Sequence, residues 1–283
     1  MSNQILLFVK KMLLFFSFAL PLVPLWGQSW MILRESEEKR PFFIESSLSQ
    51  ARHYLEQLSW LGKMSFSFKE KKLSLRSTQY LLSLIAETIN EGGSYAYLME
   101  NKTLSFHLID SPSIFFFSLP SGDIYFSRSA FKNIFRNEGD LLSFLLYELT
   151  RIHFSIYPKR KIIPRGGLRP EEFLYLIQLP LEERKNINEF CYGVLKRSKR
   201  DPYLYLSWLQ LLGRNYMKVP HFEDASGLAE QEFSYKKLYL QETSKNEKGQ
   251  LKDASSKEYY DFTRNVLNER DNEKERYIME RKN

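Results

Sequence analysis

Glu148 lies within an apolar stretch, residues 141–158, that reads LLSFLLYELTRIHFSIYP. The spacing of its apolar residues predicts a helix with a charged seam. Tyr147 and Arg151 flank Glu148 and, being four residues apart, lie on one face of that helix. In a helical zinc site these two positions are histidines that hold the metal, and the Glu between them is the general base. The sequence therefore keeps the carboxylate of such a site without its two helical ligands.

Neither flanking residue replaces a histidine as a zinc ligand. A catalytic zinc needs about three N, O or S ligands and one open position for water. The phenol of Tyr147 stays protonated near neutral pH, and the guanidinium of Arg151 is always cationic and has no lone pair to give. Without a metal-polarised water, Glu148 has no hydrolytic role, so we expect no metal and no cofactor here. The alternative is an ordinary solvated or mutually paired Glu148–Arg151 set on a helix.

The elements around this helix predict an α+β fold. Short β-branched and aromatic runs separated by turn residues predict three strands over 103–128. Asn137 is a good N-cap for the Glu148 helix, Asp140 follows three residues later as in a capping box, and Pro158 stops the helix. Apolar residues at helical spacing predict further helices at about 45–61, 74–90, 181–199, 202–216 and 227–241.

Two sequence blocks in this order resemble the HtpX and CAAX-prenyl-protease family of zinc metallopeptidases, to which the periplasmic β-barrel-assembly-enhancing protease is related. The first block is HLIDSPSIFFFSLPSGDIYFSRSAF followed by RNEGDLLSFLLYELTR, and the second is LEERKNINEFCYGVLKRSKRDPYLYLSWLQLL. The likeness covers about residues 80–240. The residues that fall on family positions most directly are Ile124, Tyr125, Arg128, Asp140, Leu141, Asp201 and Pro202.

The chain departs from the family at the metal ligands. The resemblance places the general base on Glu148 and the two histidine ligands on Tyr147 and Arg151. The family's third ligand, a Glu, falls on Arg184, or on Glu183 if the alignment slips by one residue. We therefore expect Arg151 to stand where the metal would be. The helix at 181–199 is expected to pack there and bring Glu182 or Glu183 within reach of the guanidinium.

The resemblance implies a mainly helical, zincin-like (minigluzincin) domain with a small three- to four-stranded sheet beside the Glu148 helix. In active relatives zinc is the cofactor, and an edge strand over the cleft holds an extended substrate through main-chain hydrogen bonds. That strand corresponds to residues 114–119 here. Its three phenylalanines, Phe115, Phe116 and Phe117, are either a peptide-binding edge or part of the core.

The functional expectation is a pseudopeptidase of the cell envelope, without metal, that binds a peptide, an unfolded protein client or a partner protein. Two alternatives stay open. One is an active envelope zinc metalloendopeptidase with unorthodox ligands, and the other is a purely structural envelope protein whose cleft has closed.

The N-terminal residues predict the cellular compartment, and the charge distribution indicates that nucleic acid is not a partner. Residues 1–28 have two lysines before an apolar run, as in a signal peptide or an N-terminal anchor. We therefore expect export to the periplasm or cell envelope. If the segment is kept as an anchor, we expect association with the membrane. Residues 40–240 form the peptidase-like domain, and 241–283 a charged helix or disordered tail. The net charge of +7 is mixed along the chain, which indicates no nucleic-acid partner. Cys191 is the only cysteine, so no internal disulfide can form.

Overall fold

Helices surround a small mixed sheet in the computed structural model, which describes residues 48–67, 70–91, 95–99, 103–158, 168–219, 225–243 and 255–267. The predicted α+β class is confirmed. The predicted signal peptide or anchor, residues 1–28, lies outside the described residues. Within the described ranges no helix has the length and apolar character needed to cross a membrane.

The helices and strands follow the predicted order closely. The strands are β1 (Glu70–Lys72), β2 (Ser105–Ile109), β3 (Phe116–Ser118) and β4 (Asp123–Ser127). The helices are α1 (Leu48–Phe66), α2 (Leu75–Glu91), α3 (Arg128–Asn133), α4 (Glu138–Phe154), α5 (Pro170–Leu176), α6 (Leu181–Arg197), α7 (Tyr203–Arg214), α8 (Ala225–Thr243) and α9 (257–267).

The sheet has the order β1-β2-β4-β3, so β3 lies at one edge. Strands β2 and β4 are parallel, and β1 and β3 each pair antiparallel with their neighbour. The three strands predicted over 103–128 are therefore confirmed. Strand β1 was not predicted because its sequence, Glu-Lys-Lys, has none of the apolar alternation by which a strand is detected, and charged residues are common on exposed edge strands.

Helix α4 is the central helix, and its N-cap matches the prediction, whereas its C-terminal end does not. The Asn137 side chain accepts a hydrogen bond from the Asp140 amide at 2.8 Å, and the Asp140 carboxylate accepts one from the Arg136 amide at 3.0 Å. The helix ends at Phe154 because Ser155 adopts the left-handed conformation, before Pro158 is reached. Every residue from Leu141 to Ile152 is buried. The charged seam therefore lies inside the protein, because the sheet covers one side of α4 while α6 and α7 pack against it.

Two further helices complete the core, and only α5 lies where the sequence predicted no helix. Helix α5 buries Phe173 in the cluster under β3. Helix α9, in the segment expected to be a charged helix or a disordered tail, buries Tyr259, Phe262 and Val266. Both helices are short, so each spans too few turns to give a strong periodic signal.

Candidate functional site

Glu148 lies in the interior, at the contact between α4 and the edge strand β3. The residue is only 2% exposed. Its Oε2 accepts a hydrogen bond from the Ser118 hydroxyl at 2.6 Å and one from Arg151 Nη1 at 3.0 Å. The Ser118 backbone amide also lies near enough to lower the pKa of this carboxyl group. The carboxylate therefore joins the central helix to the edge of the sheet.

Arg151 contacts groups on three sides and is 4% exposed. Its Nη1 is 3.3 Å from Glu148 Oε1, and its Nη2 donates to the Ile177 carbonyl oxygen at 3.2 Å. Its Cζ lies 4.9 Å from the centroid of the Tyr157 ring, which is a cation–π distance. The alternative of a solvated surface pair is therefore wrong, because both charges are inside the protein. Glu148 and Arg151 form the mutual pair that the same alternative also allowed.

Tyr157 closes this cluster. Its hydroxyl lies 2.9 Å from the Ser118 hydroxyl, which also donates to Glu148. We call Ser118, Glu148, Arg151 and Tyr157 the Glu148 cluster. Each of its side chains hydrogen-bonds or stacks on another member, so the buried charges are compensated from within the chain.

Burial and pairing act in opposite directions on the two charged groups. Burial raises the pKa of Glu148 above its ordinary value, and the Arg151 charge and the Ser118 hydrogen bonds offset only part of that rise. Burial lowers the pKa of Arg151, but the Glu148 carboxylate outweighs it, so the pKa of Arg151 lies above its ordinary value. The guanidinium therefore stays charged at any pH at which the fold is stable.

The other predicted ligand positions are close to this helix but do not converge. Tyr147 is buried with its ring 6.0 Å from that of Trp208, and burial raises the pKa of its phenol. Arg184 is buried and Glu183 half-buried at the start of α6, which packs on α4 as expected. The expected partner Glu182 instead has a 74% exposed side chain beside Lys185. The carboxylate that pairs with Arg151 is thus Glu148, on the same helix.

The three phenylalanines of the edge strand belong to the core. Phe115, Phe116 and Phe117 are 3%, 1% and 0% exposed. Phe117 stacks on Tyr125 with ring centroids 5.1 Å apart, and Phe116 packs on Phe144 at 5.1 Å. Of the two alternatives for these side chains, burial supports the core, because α4 and α5 pack against this part of the sheet. Peptide binding through the main chain of this strand stays a prediction. At Ser118 the strand edge itself is occupied by Glu148.

The Glu148 cluster consists of one carboxyl group, one guanidinium and two hydroxyl groups. In the ranges that the structure describes, no group of three or more His, Cys, Asp or Glu residues is arranged to hold a metal ion. A dication beside Glu148 would meet the Arg151 guanidinium about 3 Å from the same carboxylate. The cluster stabilises the contact of α4 with β3, and its chemistry is that of a buried ion pair.

Two polar features have no counterpart among the sequence predictions. His107 on β2 bridges two carboxylates, with Nδ1 2.6 Å from Glu70 and Nε2 2.9 Å from Asp123. Burial lowers the pKa of His107, but these two partners outweigh it and raise the pKa above its ordinary value. The second feature is a cavity between α2 and α9. No sequence signal marks either one, because their residues come from distant parts of the chain.

Comparison with known proteins adds no assignment. No protein-family model matches the sequence, and no curated protein matches it.

Proposed function

We propose that this chain is an exported, metallopeptidase-like protein without catalytic activity that acts in the cell envelope by binding a peptide or a partner protein. The observation that carries the proposal is the buried Glu148–Arg151 ion pair at the position where the resemblance puts a general base and a zinc ligand. A guanidinium in that position supplies the positive charge next to Glu148 that a metal would supply in an active relative.

The ion pair argues against hydrolysis in two ways. A general base must reach a water molecule, but the Glu148 carboxylate already accepts bonds from Ser118 and Arg151. A zinc ion also requires donors with lone pairs, and Arg151 replaces such a donor with a fixed positive charge. The same residues thus remove the ligand, repel the ion and occupy the base.

The arrangement of elements supports a zincin-like (minigluzincin) fold as the finer part of the proposal. Helix α4, with Glu148, lies beside a small sheet, and its Glu meets the edge strand β3. Helix α6, which carries the third-ligand position at Glu183 or Arg184, packs on α4. This is the order that the resemblance implies for the active-site helix, the substrate-binding strand and the third-ligand helix.

One observation favours a second candidate, a structural envelope protein whose cleft has closed. The side chains of residues 115–117 are in the core, and Ser118, at the end of β3, bonds to Glu148. An extended peptide has no free donor at Ser118 unless Glu148 moves away. Binding to a partner therefore uses a surface other than this part of the strand edge, or it opens the Glu148 cluster.

Metal content and proteolysis test the loss of catalysis. We expect the purified mature protein to carry far less than stoichiometric zinc and to leave casein intact, with or without chelator. Glu148→Gln is the matched variant, because it removes the base while it keeps the shape of the side chain. Stoichiometric zinc together with chelator-sensitive cleavage that is lost in Glu148→Gln would show an active metalloendopeptidase with unorthodox ligands.

Two further measurements separate binding from a structural role. Fluorescence anisotropy with a labelled, permanently unfolded casein should show saturable binding to the wild-type protein if it is a binding protein, and no binding if its role is structural. Cell fractionation tests export. Full-length protein in the cytoplasm contradicts export, and full-length protein in the membrane fraction favours a retained anchor.

A further inference from the structure

A cavity of about 880 Å³ opens between helices α2 and α9, at the first turn of α4. Its volume lies in the range of small-molecule sites, which is roughly 300–1,000 Å³. Glu138 lines the cavity and is ten residues before Glu148 on the same helix, a distance of about 15 Å along its axis. The cavity is therefore separate from the Glu148 cluster, and a ligand can bind in it without contacting that cluster.

Arg200 lines this cavity as a buried cation without a counter-charge. The residue is 8% exposed, and its buried Nε has no hydrogen-bond partner. Its guanidinium forms no ion pair with any carboxylate in the described ranges. An uncompensated buried charge is costly, and native proteins pair such groups almost without exception. A negatively charged group that enters the cavity would complete the missing pair.

Four acidic residues line the cavity, and in the described ranges none of them forms an ion pair with Arg200: the exposed Glu87 and Glu258, and Glu138 and Asp261. Glu138 accepts hydrogen bonds from the Tyr80 hydroxyl at 2.7 Å and from the backbone amide of Ser256 at 3.0 Å. Asp261 lies 3.7 Å from the mostly exposed guanidinium of Arg76 at the rim. Four carboxyl groups in the cavity wall disfavour a dianion such as phosphate more than a singly charged anion. The ligand that fits carries a single negative charge, as a carboxylate does.

One wall of the cavity is apolar. Tyr80 and Phe262 lie with their ring centroids 5.0 Å apart, and Leu84 lines the cavity beside them. Aromatic side chains in a site with few charged anchors typically contact the apolar part of a ligand. The cavity thus combines one buried cation, Arg200, with an apolar contact surface.

We propose that this cavity binds a monocarboxylate that has an apolar or aromatic body, with its carboxylate on the Arg200 guanidinium. Such a group is present at the C-terminus of a peptide that ends in an apolar residue and in a free organic acid. The planar guanidinium can bind both carboxylate oxygens at once, which is the geometry that Arg offers and Lys does not.

Isothermal titration calorimetry with three probes tests the assignment. The probes are N-acetyl-Ala-Phe, its C-terminal amide and 3-phenylpropionate. We expect saturable binding of N-acetyl-Ala-Phe and binding of the amide that is weaker by about tenfold or more, because a hydrogen bond to a charged group contributes that much. Binding of 3-phenylpropionate as tight as that of the dipeptide assigns the site to free acids, and much weaker binding assigns it to peptide C-termini.

Variants of the two arginines locate the binding. Arg200→Gln should weaken binding of N-acetyl-Ala-Phe by about tenfold or more, Arg200→Lys by less, and the control Arg76→Gln by the least. Arg200→Gln should have a melting temperature equal to or higher than that of the wild-type protein, because it removes an unpaired buried charge. If Arg200 had a structural role, the substitution would lower the melting temperature. Equal binding of acid and amide, unchanged binding in Arg200→Gln, or no binding of any probe would overturn the proposal. None of these results bears on zinc content or casein cleavage.

Discussion

Replacing Arg151 with Ala should lower the free energy of unfolding by about 3–5 kcal/mol, because it leaves the Glu148 carboxylate buried without its partner. Both side chains are at most 5% exposed, so water cannot replace the lost contact. The variant also loses the hydrogen bond to the Ile177 carbonyl, worth about 1.5–3 kcal/mol, and the contact with Tyr157, worth about 1–2 kcal/mol. These contributions overlap, and Glu148 can take up a proton in the variant, which limits the total.

Urea unfolding of four variants and one control variant at neutral pH measures this effect. Arg151→Met keeps most of the side-chain volume, so the difference between it and Arg151→Ala reports the lost packing. Glu148→Gln and the double variant Glu148→Gln/Arg151→Met complete a double-mutant cycle, in which we expect a coupling energy of about 1–3 kcal/mol. Arg52→Ala is the control, because Arg52 forms an ion pair with Glu56 whose side chains are 84% and 62% exposed. We expect it to cost well under 1 kcal/mol.

Two results would refute this reasoning. A loss below about 0.5 kcal/mol in Arg151→Ala would mean that the guanidinium contributes no more than a surface charge. Additive effects of the Glu148 and Arg151 substitutions would mean that they do not act as a pair. Either result would also remove the observation on which the proposed function depends.

Three further predictions concern other parts of the fold. His107→Gln should lower the free energy of unfolding mainly at low pH, because the folded-state pKa of His107 is raised. The stabilisation by His107 is complete below its unfolded-state pKa of about 6.5 and is lost as pH rises through the folded-state pKa. A difference between urea midpoints that does not change with pH would contradict this. Gly122→Ala should destabilise the protein by about 1–3 kcal/mol, because Gly122 has φ +97° and a Cβ there would clash with the backbone before β2. Gly213→Ala in α7 should stabilise the protein by up to about 1 kcal/mol, because a Cβ there meets open space. Equal melting temperatures of the two variants would contradict the backbone geometry at these glycines. Glu138→Gln weakens the hydrogen bonds from Ser256 that hold α9 to the start of α4. Limited proteolysis should therefore cut the chain before α9 faster in this variant than in the wild-type protein. Identical digestion rates would show that these hydrogen bonds do not hold α9 in place.

The sequence by itself determined the elements whose signals are local. Asn137 and Asp140 marked the start of α4 because capping is a contact between residues three apart in the chain. The runs over 103–128 predicted three strands because short stretches of β-branched and aromatic residues between turn residues are typical of β-strands. The chemical identity of Arg151 likewise excluded an ordinary zinc ligand at its position, because a guanidinium has no lone pair to donate in any fold.

The tertiary structure alone decided what these residues contact. A Glu and an Arg three residues apart are usually a solvated surface pair, and only the packing of the sheet, α6 and α7 around α4 makes them a buried one. The choice of core over binding edge for Phe115–Phe117 likewise depended on α4 and α5, which cover β3. Arg200 gave no signal in the sequence, because the absence of a partner depends on every residue that folding brings near it.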